Sequence, residues 1–256
     1  LHVDHQLRNN STKEAKFVKL LLKKLSTNLE IITWVGKKPK SNIQSIARDK
    51  RYALMIKKAK KLKINNILLG HHKDDLIENF FIRILRGSGL NGIMSFDQKT
   101  NQQNINLIRP LLKFSKINLE YITKKVFENY VEDPSNKNYE FKRVKIRNFL
   151  KNLKLEGLDK DKFNLTINNL RFANESIKYF VEKNLKENST ISNINGFVIL
   201  NKNFFLQPEE VVFRSLTEVL KSVGKKYYPV RGKKIEKLIY QIKNDNLLMT
   251  TLGNCV

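Results

Sequence analysis

Nine consecutive residues, Gly70-His71-His72-Lys73-Asp74-Asp75-Leu76-Ile77-Glu78, hold two imidazoles and three carboxylates. An apolar run from Ile64 to Leu69 precedes them, and Leu76, Ile77, Phe80, Phe81, Ile84 and Leu85 recur behind them at helical spacing. The histidines therefore end a predicted strand and the acids open a predicted helix. Asp75 and Glu78, three positions apart, share a helix face that diverges from the one carrying Phe80 and Phe81. The helix start offers unpaired backbone N–H groups to an anion, and His with Asp is also a set that binds metal ions. Asp74 reads as an N-cap, with the other acids offsetting the helix dipole. His71, Asp75 and Glu78 are too concentrated for capping alone and are read as a site, with a metal centre as the competing reading.

Three further groups carry chemistry more weakly. Asp4-His5-Gln6-Leu7-Arg8 stands at the end of a first apolar stretch. Gln44, Arg48, Arg51 and Tyr52 form another group, in which the two arginines are one turn apart and can clamp one anion. Lys50, Lys57, Lys58, Lys60 and Lys61 make a solvated basic face the plainer reading of that segment. Ile108-Arg109-Pro110-Leu111-Leu112 puts an arginine at a strand end. Arg86-Gly87-Ser88-Gly89-Leu90-Asn91-Gly92 and Asp133-Pro134-Ser135-Asn136 read as turns.

The elements that must position these groups alternate. Residues 1–4 look like the end of a buried strand. Ser11 and Glu14 fit a capping box, with Ser11 as N-cap, for a helix to about Leu25 that buries Phe17, Leu20, Leu21 and Leu25. Strands are predicted at Leu29 to Val35, Ile64 to Leu69 and Asn106 to Leu112. Helices are predicted at Asn42 to Lys61, Lys73 to Arg86 and Ser115 to Phe127. This order indicates βαβ units and a parallel sheet, whose ligands bind beyond the carboxyl ends of the strands. His5 and Gly70-His71-His72 both fall at such ends. Beyond Asp133 the chain turns helical and basic, with Lys142, Arg143, Lys145, Arg147, Lys151 and Lys154. A short β section follows at about Asn193 to Leu206, then helices from Pro208 to Val223 and from Lys233 to Ile242. The expected fold class is α/β, a Rossmann-like parallel sheet followed by a mostly helical second domain, with the boundary near residue 155 (1–155 and 156–256).

The 256 residues carry 49 Lys and Arg against 24 Asp and Glu, a net charge of +25. Enrichment in Lys, Asn and Ile accounts for part of this excess. A polyanionic partner accounts for it better, because each phosphate neutralised releases condensed counterions. One cysteine, Cys255, excludes an intrachain disulfide or a cysteine-based metal site and suits a reducing, cytoplasmic setting. No run approaches the ~20 apolar residues of a membrane span, so no membrane partner is expected.

Seven pieces in register resemble the tRNA(Ile)-lysidine synthetase family, a branch of the PP-loop ATPases. They are Val3-Asp4-His5-Gln6-Leu7-Arg8, Ala47-Arg48-Asp49-Lys50-Arg51-Tyr52, Leu69 to Glu78, Arg86 to Gly92, Arg109-Pro110-Leu111-Leu112, Asp133-Pro134-Ser135-Asn136 and Arg143-Val144-Lys145-Ile146-Arg147. Thr251-Leu252-Gly253-Asn254-Cys255 resembles a motif near that family's C-terminal region. The resemblance implies that ATP, with Mg²⁺, activates C2 of the wobble cytidine of an isoleucine tRNA with a CAU anticodon. Free L-lysine then displaces AMP to form lysidine. It implies catalytic roles for His71, Asp75, Glu78 and Arg51, with Asp75 and Glu78 binding lysine. His5, Gly70 and Arg51 would line the ATP site, and Arg109, Arg143 and Arg147 would hold tRNA or reach over the site. The helical region beyond residue 155 would bind the tRNA body, and pairing of two copies into a homodimer stays open.

Some features depart from that family. Its phosphate-cradling loop, of Ser-Gly-Gly-x-Asp-Ser type, is expected upstream of Val3 with the strand and helix that frame it. The chain reads as entered in mid-strand and is expected to continue past Val256. Asn79 and Asn254 replace the usual Thr and Gly. Three other readings compete: a tRNA cytidine thiolase, which a single cysteine disfavours, a metal-dependent phosphohydrolase built on His71, His72, Asp74 and Asp75, and a tRNA-binding fragment without activity.

Overall fold

Three- and four-residue strands alternate with helices through residues 1–131, and the order of the elements explains their pairing. In the computed structural model, residues 1–131, 134, 139, 142–192, 196–225, 229–244 and 249–256 are described. The predicted turn at Asp133, Ser135 and Asn136 lies outside them. The chain divides into two compact units, Leu1–Asp159 and Lys160–Val256.

In the first unit, β1 (His2–Asp4) pairs in parallel with β2 (Ile31–Thr33) across α1 (Ser11–Lys23), with Val3 opposite Ile32. β3 (Asn66–Leu68) pairs in parallel with β5 (Ile105–Ile108), with Ile67 opposite Leu107. Parallel neighbours need a crossover, and the intervening helices supply it. α2 (Ile43–Lys61) ties the two ladders together: its Tyr52, Met55, Ile56 and Ala59 share one core cluster with Val3, Leu69, Ile105 and Leu107. α3 (Lys73–Ile84) follows β3, and α4 (Leu90–Ile93) follows the glycine-rich turn. α5 (Lys116–Phe127) and α6 (Lys142–Leu155) complete the unit, an α/β arrangement with parallel pairing as expected.

Several local expectations are corrected. Asn10, not Ser11, is the N-cap of α1, and Glu14 pairs with Arg8 at 2.8 Å instead of closing a capping box. Phe17, Leu20 and Leu25 are exposed, and Ala15 is the buried residue of that helix. The predicted strand from Asn106 to Leu112 stops at Ile108. Pro110 lacks an N–H for a ladder and instead opens a 3-10 turn, Pro110–Lys113. β4 (Lys99–Gln102) was not anticipated and runs antiparallel to β5. The Gln103-Asn104 turn that joins them has positive φ at both residues, +53° and +66°, the backbone of a tight hairpin whose twist matches its strands.

The second unit is mostly helical. α7 (Lys160–Asn188) leads into a hairpin of β6 (Ser189–Ser192) and β7 (Phe197–Leu200), so the β section begins earlier and ends sooner than Asn193 to Leu206. Asn201 then caps α8 (Lys202–Phe205) through its side-chain oxygen, 3.1 Å from the Phe204 N–H. α9 (Glu209–Val223), with Pro208 at its N-cap rather than its first turn, and α10 (Gly232–Lys243) close a core around Phe204, Val212, Leu216, Ile235 and Leu238. Among the described residues no helix is long and apolar enough to cross a membrane.

Candidate active site

The first strand ends in a pinned turn. Asp4 is buried, and its carboxylate accepts from the Gln6 N–H at 2.9 Å and the Thr12 hydroxyl at 2.7 Å. Burial alone would raise Asp4, yet those two donors outweigh it and hold the carboxyl below its usual range. The chain leaves the strand through Gln6 at φ +51°, a left-handed conformation costly for a side chain with a Cβ. His5, between these two, packs edge-on against Trp34 with ring centroids 6.0 Å apart. Burial and the neighbouring Arg51 charge push its imidazole down, and its Nδ1 is buried without a hydrogen-bond partner.

The second strand end leads into α3. His72 is the N-cap of this helix, and Asp75 accepts its backbone N–H at 3.1 Å. Asp74, read from the sequence as the N-cap, instead accepts the backbone N–H of Lys116 at 2.8 Å and so fastens the start of α5 to the start of α3. Both acids therefore serve helix ends, and the N-cap position expected of Asp74 falls to His72. Glu78, one turn further, is 3% exposed and pairs with Arg147 of α6, Nε to Oε1 at 2.5 Å. α6 is seated on α3 in part by Phe149 against Phe81, with ring centroids 5.7 Å apart. Burial pushes Glu78 above the ordinary carboxylate range, with Arg147 pulling against it and Asp75 adding to it.

Between the two strand ends stands a group of guanidinium ions. Arg48 and Arg51 of α2 lie over the Tyr52 ring at 5.1 and 5.8 Å. Burial lowers Arg51, and the like charges of Arg48 and Arg143 lower it further. Arg109 is 4% exposed, lies 4.7 Å over the Phe96 ring, and donates to the Asp97 carbonyl at 2.7 Å and the Thr100 hydroxyl at 3.1 Å. His71 meets the other side of this arrangement, its ring edge-on to Phe96 at 5.1 Å. Burial first, and then the Arg109, Arg48 and Arg51 charges, lower His71 to about 4 against the pull of Asp75, so the imidazole is uncharged at neutral pH. Its Nδ1 is buried without a partner.

These mutual influences bring His5, Arg51, His71, Asp75, Glu78, Arg143 and Arg147 into one neighbourhood at the carboxyl ends of β1 and β3. Gly70 lies exposed beside it, with open space where a side chain would project. Arg109 contributes charge from the interior and presents no guanidinium to the surface. In the sequence Arg48 stands with Arg51 as a possible anion clamp, but the lysine-rich helix around it made a solvated basic face the plainer reading, and it received no role of its own. Its signal was the Arg48-x-x-Arg51-Tyr52 spacing, which places two guanidinium groups on one aromatic ring. Phe96, the wall shared by His71 and Arg109, carried no sequence signal.

The donor set does not favour a protein-held metal. Asp74 and Asp75 are committed to helix ends, and no group of three or more His, Cys, Asp or Glu is arranged to hold an ion among the described residues. The site does provide arginine charge for an anion, uncharged imidazoles with open hydrogen-bonding positions, and a carboxylate pair on one helix face.

An α/β unit with parallel strands and arginines gathered near the strand ends has the arrangement in which such folds handle nucleotides. A family model described as PP-loop domain matches residues 1–154, and the chain belongs to that family. Over its whole length it is 29% identical to a tRNA(Ile)-lysidine synthase of Wolbachia sp. subsp. Brugia malayi (strain TRS), covering 60% of that protein. It is 30% identical to the enzymes of that name from Wolbachia pipientis wMel and Orientia tsutsugamushi (strain Boryong), again over 100% of this chain and 60% and 59% of theirs. The chain thus spans about three-fifths of the length of these curated relatives.

Proposed function

We propose that this protein takes part in ATP-dependent modification of an isoleucine tRNA with a CAU anticodon. In this reading, free lysine is joined to C2 of the wobble cytidine through an adenylated base. The observation that carries the reading is that Asp75 and Glu78 share one face of α3, Asp75 within electrostatic reach of Arg51 and Glu78 of Arg143, while Arg48 and Arg109 act on the neighbouring His71. An ammonium and a polyphosphate are both called for, side by side, and the relatives are named for a lysine-containing tRNA product.

The cytidine oxygen attacks the α-phosphate of ATP and pyrophosphate leaves. The lysine amine then attacks C2 and AMP leaves. Arg51, assisted by Arg48, stabilises the charge that grows on the phosphate oxygens, and Arg109 supports both from below. His5 and the end of β1 face the nucleoside. His71, uncharged, acts by hydrogen bonding toward the base or phosphate rather than by charge. Asp75 receives the lysine ammonium. Glu78, raised by burial, is a better proton acceptor than an exposed carboxylate and suits removal of the amine proton. Arg147 neutralises Glu78 and Arg143 closes over the phosphates.

The test is Asp75→Asn in the full-length protein. Asparagine can still accept the His72 N–H, so α3 keeps its start while the charge is lost. Lysine incorporation should fall at least ~100-fold, within the range of roughly 2–5 kcal/mol for removing one partner of a buried charge pair, while tRNA retention on a filter survives. Wild-type incorporation by this variant removes Asp75 from the mechanism.

A further inference from the structure

The motif Thr251-Leu252-Gly253-Asn254-Cys255 takes no part in the chemistry above, and the structure gives it a rigid setting in the second unit. Leu252 and Cys255 pair with each other through their backbones. Gly224, at the end of α9, lies so close to the turn that a Cβ there would stand 1.9 Å from the Gly253 carbonyl oxygen. Gly253 has φ +66°, and a Cβ on it would meet Val230 at 2.8 Å. The segment is thus held by the close approach of the Gly253 carbonyl to Gly224 and of Gly253 to the Val230 side chain, with Cys255 packed against the core cluster.

This rigid turn forms one wall of a cavity of about 290 Å³, and α10 forms the other. Lys234, Lys237 and Gln241 line it from successive turns of α10, Thr250 and Thr251 from the turn, and Leu238 and Leu252 form its apolar parts. Among the described residues no carboxylate lines it. Lys234 and Lys237, one turn apart, make no ion pair with an acid among the described residues, and Thr250 and Thr251 line the same cavity. Two ammonium groups, two hydroxyls and an amide around one hollow, in a chain of net charge +25, suit a phosphate group of an extended polyanion.

We propose that this cavity seats a backbone phosphate of RNA, Lys234 and Lys237 supplying charge and Thr250 and Thr251 hydrogen bonds. The proposal rests on the reading of tRNA as substrate and adds to it a defined anchoring point far along the sequence from the catalytic residues. Such a contact positions the RNA without reading its bases.

The experiment measures binding of unmodified isoleucine tRNA to the full-length protein over a range of salt concentrations. K234E/K237E is compared with K233E/K243E, which makes the same change in net charge on the same helix outside the cavity. The cavity variant should bind ~10-fold or more weakly than this control at 100 mM salt, with a salt slope shallower by about 1 to 2. Thr251→Val, which leaves charge untouched, should weaken binding by about 2- to 3-fold. Equal losses in the two double variants, with Thr251→Val unchanged, overturn the cavity proposal and leave the tRNA reading standing. Failure of the wild-type protein to bind tRNA at all overturns both.

Discussion

Two clusters of buried polar groups, one in each unit, look alike in composition and differ in how they are satisfied. In the second unit, Asn184 donates to the Phe204 carbonyl at 3.3 Å and the Ser215 hydroxyl at 3.2 Å, and accepts from Asn188 at 2.9 Å. Arg214 reaches Glu210 and Asn174, both at 2.7 Å. Nearly every group there has a partner within the protein, with Arg214 Nη2 the exception. In the first unit, His5 and His71 keep buried nitrogens without partners, and Arg48, Arg51 and Arg143 crowd like charges together. A closed network holds helices together. An open one carries a cost in stability that only a ligand relieves. The difference separates scaffold from site more sharply than burial or residue type alone.

The comparison breaks most readily at its closed end. Asn184→Leu leaves the Phe204 carbonyl, the Ser215 hydroxyl and the Asn188 amide without their partner. It should cost about 3 kcal/mol in urea unfolding, on the scale of roughly 1–3 kcal/mol for each buried group left unpaired. A loss well under 1 kcal/mol would show that the network is not structural.

The smaller effect lies at the open end. His71 titrates near 4 when folded and near 6.5 when not, so the unfolded chain binds the extra proton between those values. Its contribution is therefore intact above pH 6.5 and is lost as pH falls toward 4. Allowing for its partial exposure, this amounts to about 1–2 kcal/mol by pH 4.5. His71→Leu should unfold with a flatter pH dependence across that window and little change in stability at pH 7.5. An unchanged pH profile would place His71 in an ordinary solvated setting.

Much of the scaffold was legible in residue patterns. The apolar run before Gly70 and the helical spacing after it gave β3 and α3, and two strand ends pointed to one rim. What escaped depended on partners distant in sequence. β4 is the polar stretch Lys99-Thr100-Asn101-Gln102, which reads as loop until a tight turn lays it on β5. The burial of Glu78 follows from α6 arriving 69 positions later with Arg147. The use of Asp74 to fasten α5 follows from α5 starting where Asp74 can reach it. The face of α1 carrying Phe17 and Leu20 is apolar in pattern but exposed, because periodicity reveals a face without naming what covers it.

The most direct test of the account separates its two half-reactions in the full-length protein: tRNA-dependent release of pyrophosphate from ATP, and incorporation of lysine. Arg51→Ala should lose both by ~10²- to 10³-fold, the scale of removing one group that stabilises transition-state charge. Asp75→Asn should release pyrophosphate within a few-fold of wild type while incorporating lysine at least ~100-fold more slowly. Loss of pyrophosphate release in Asp75→Asn together with normal release in Arg51→Ala would contradict an amine pocket set beside an arginine-lined phosphate site.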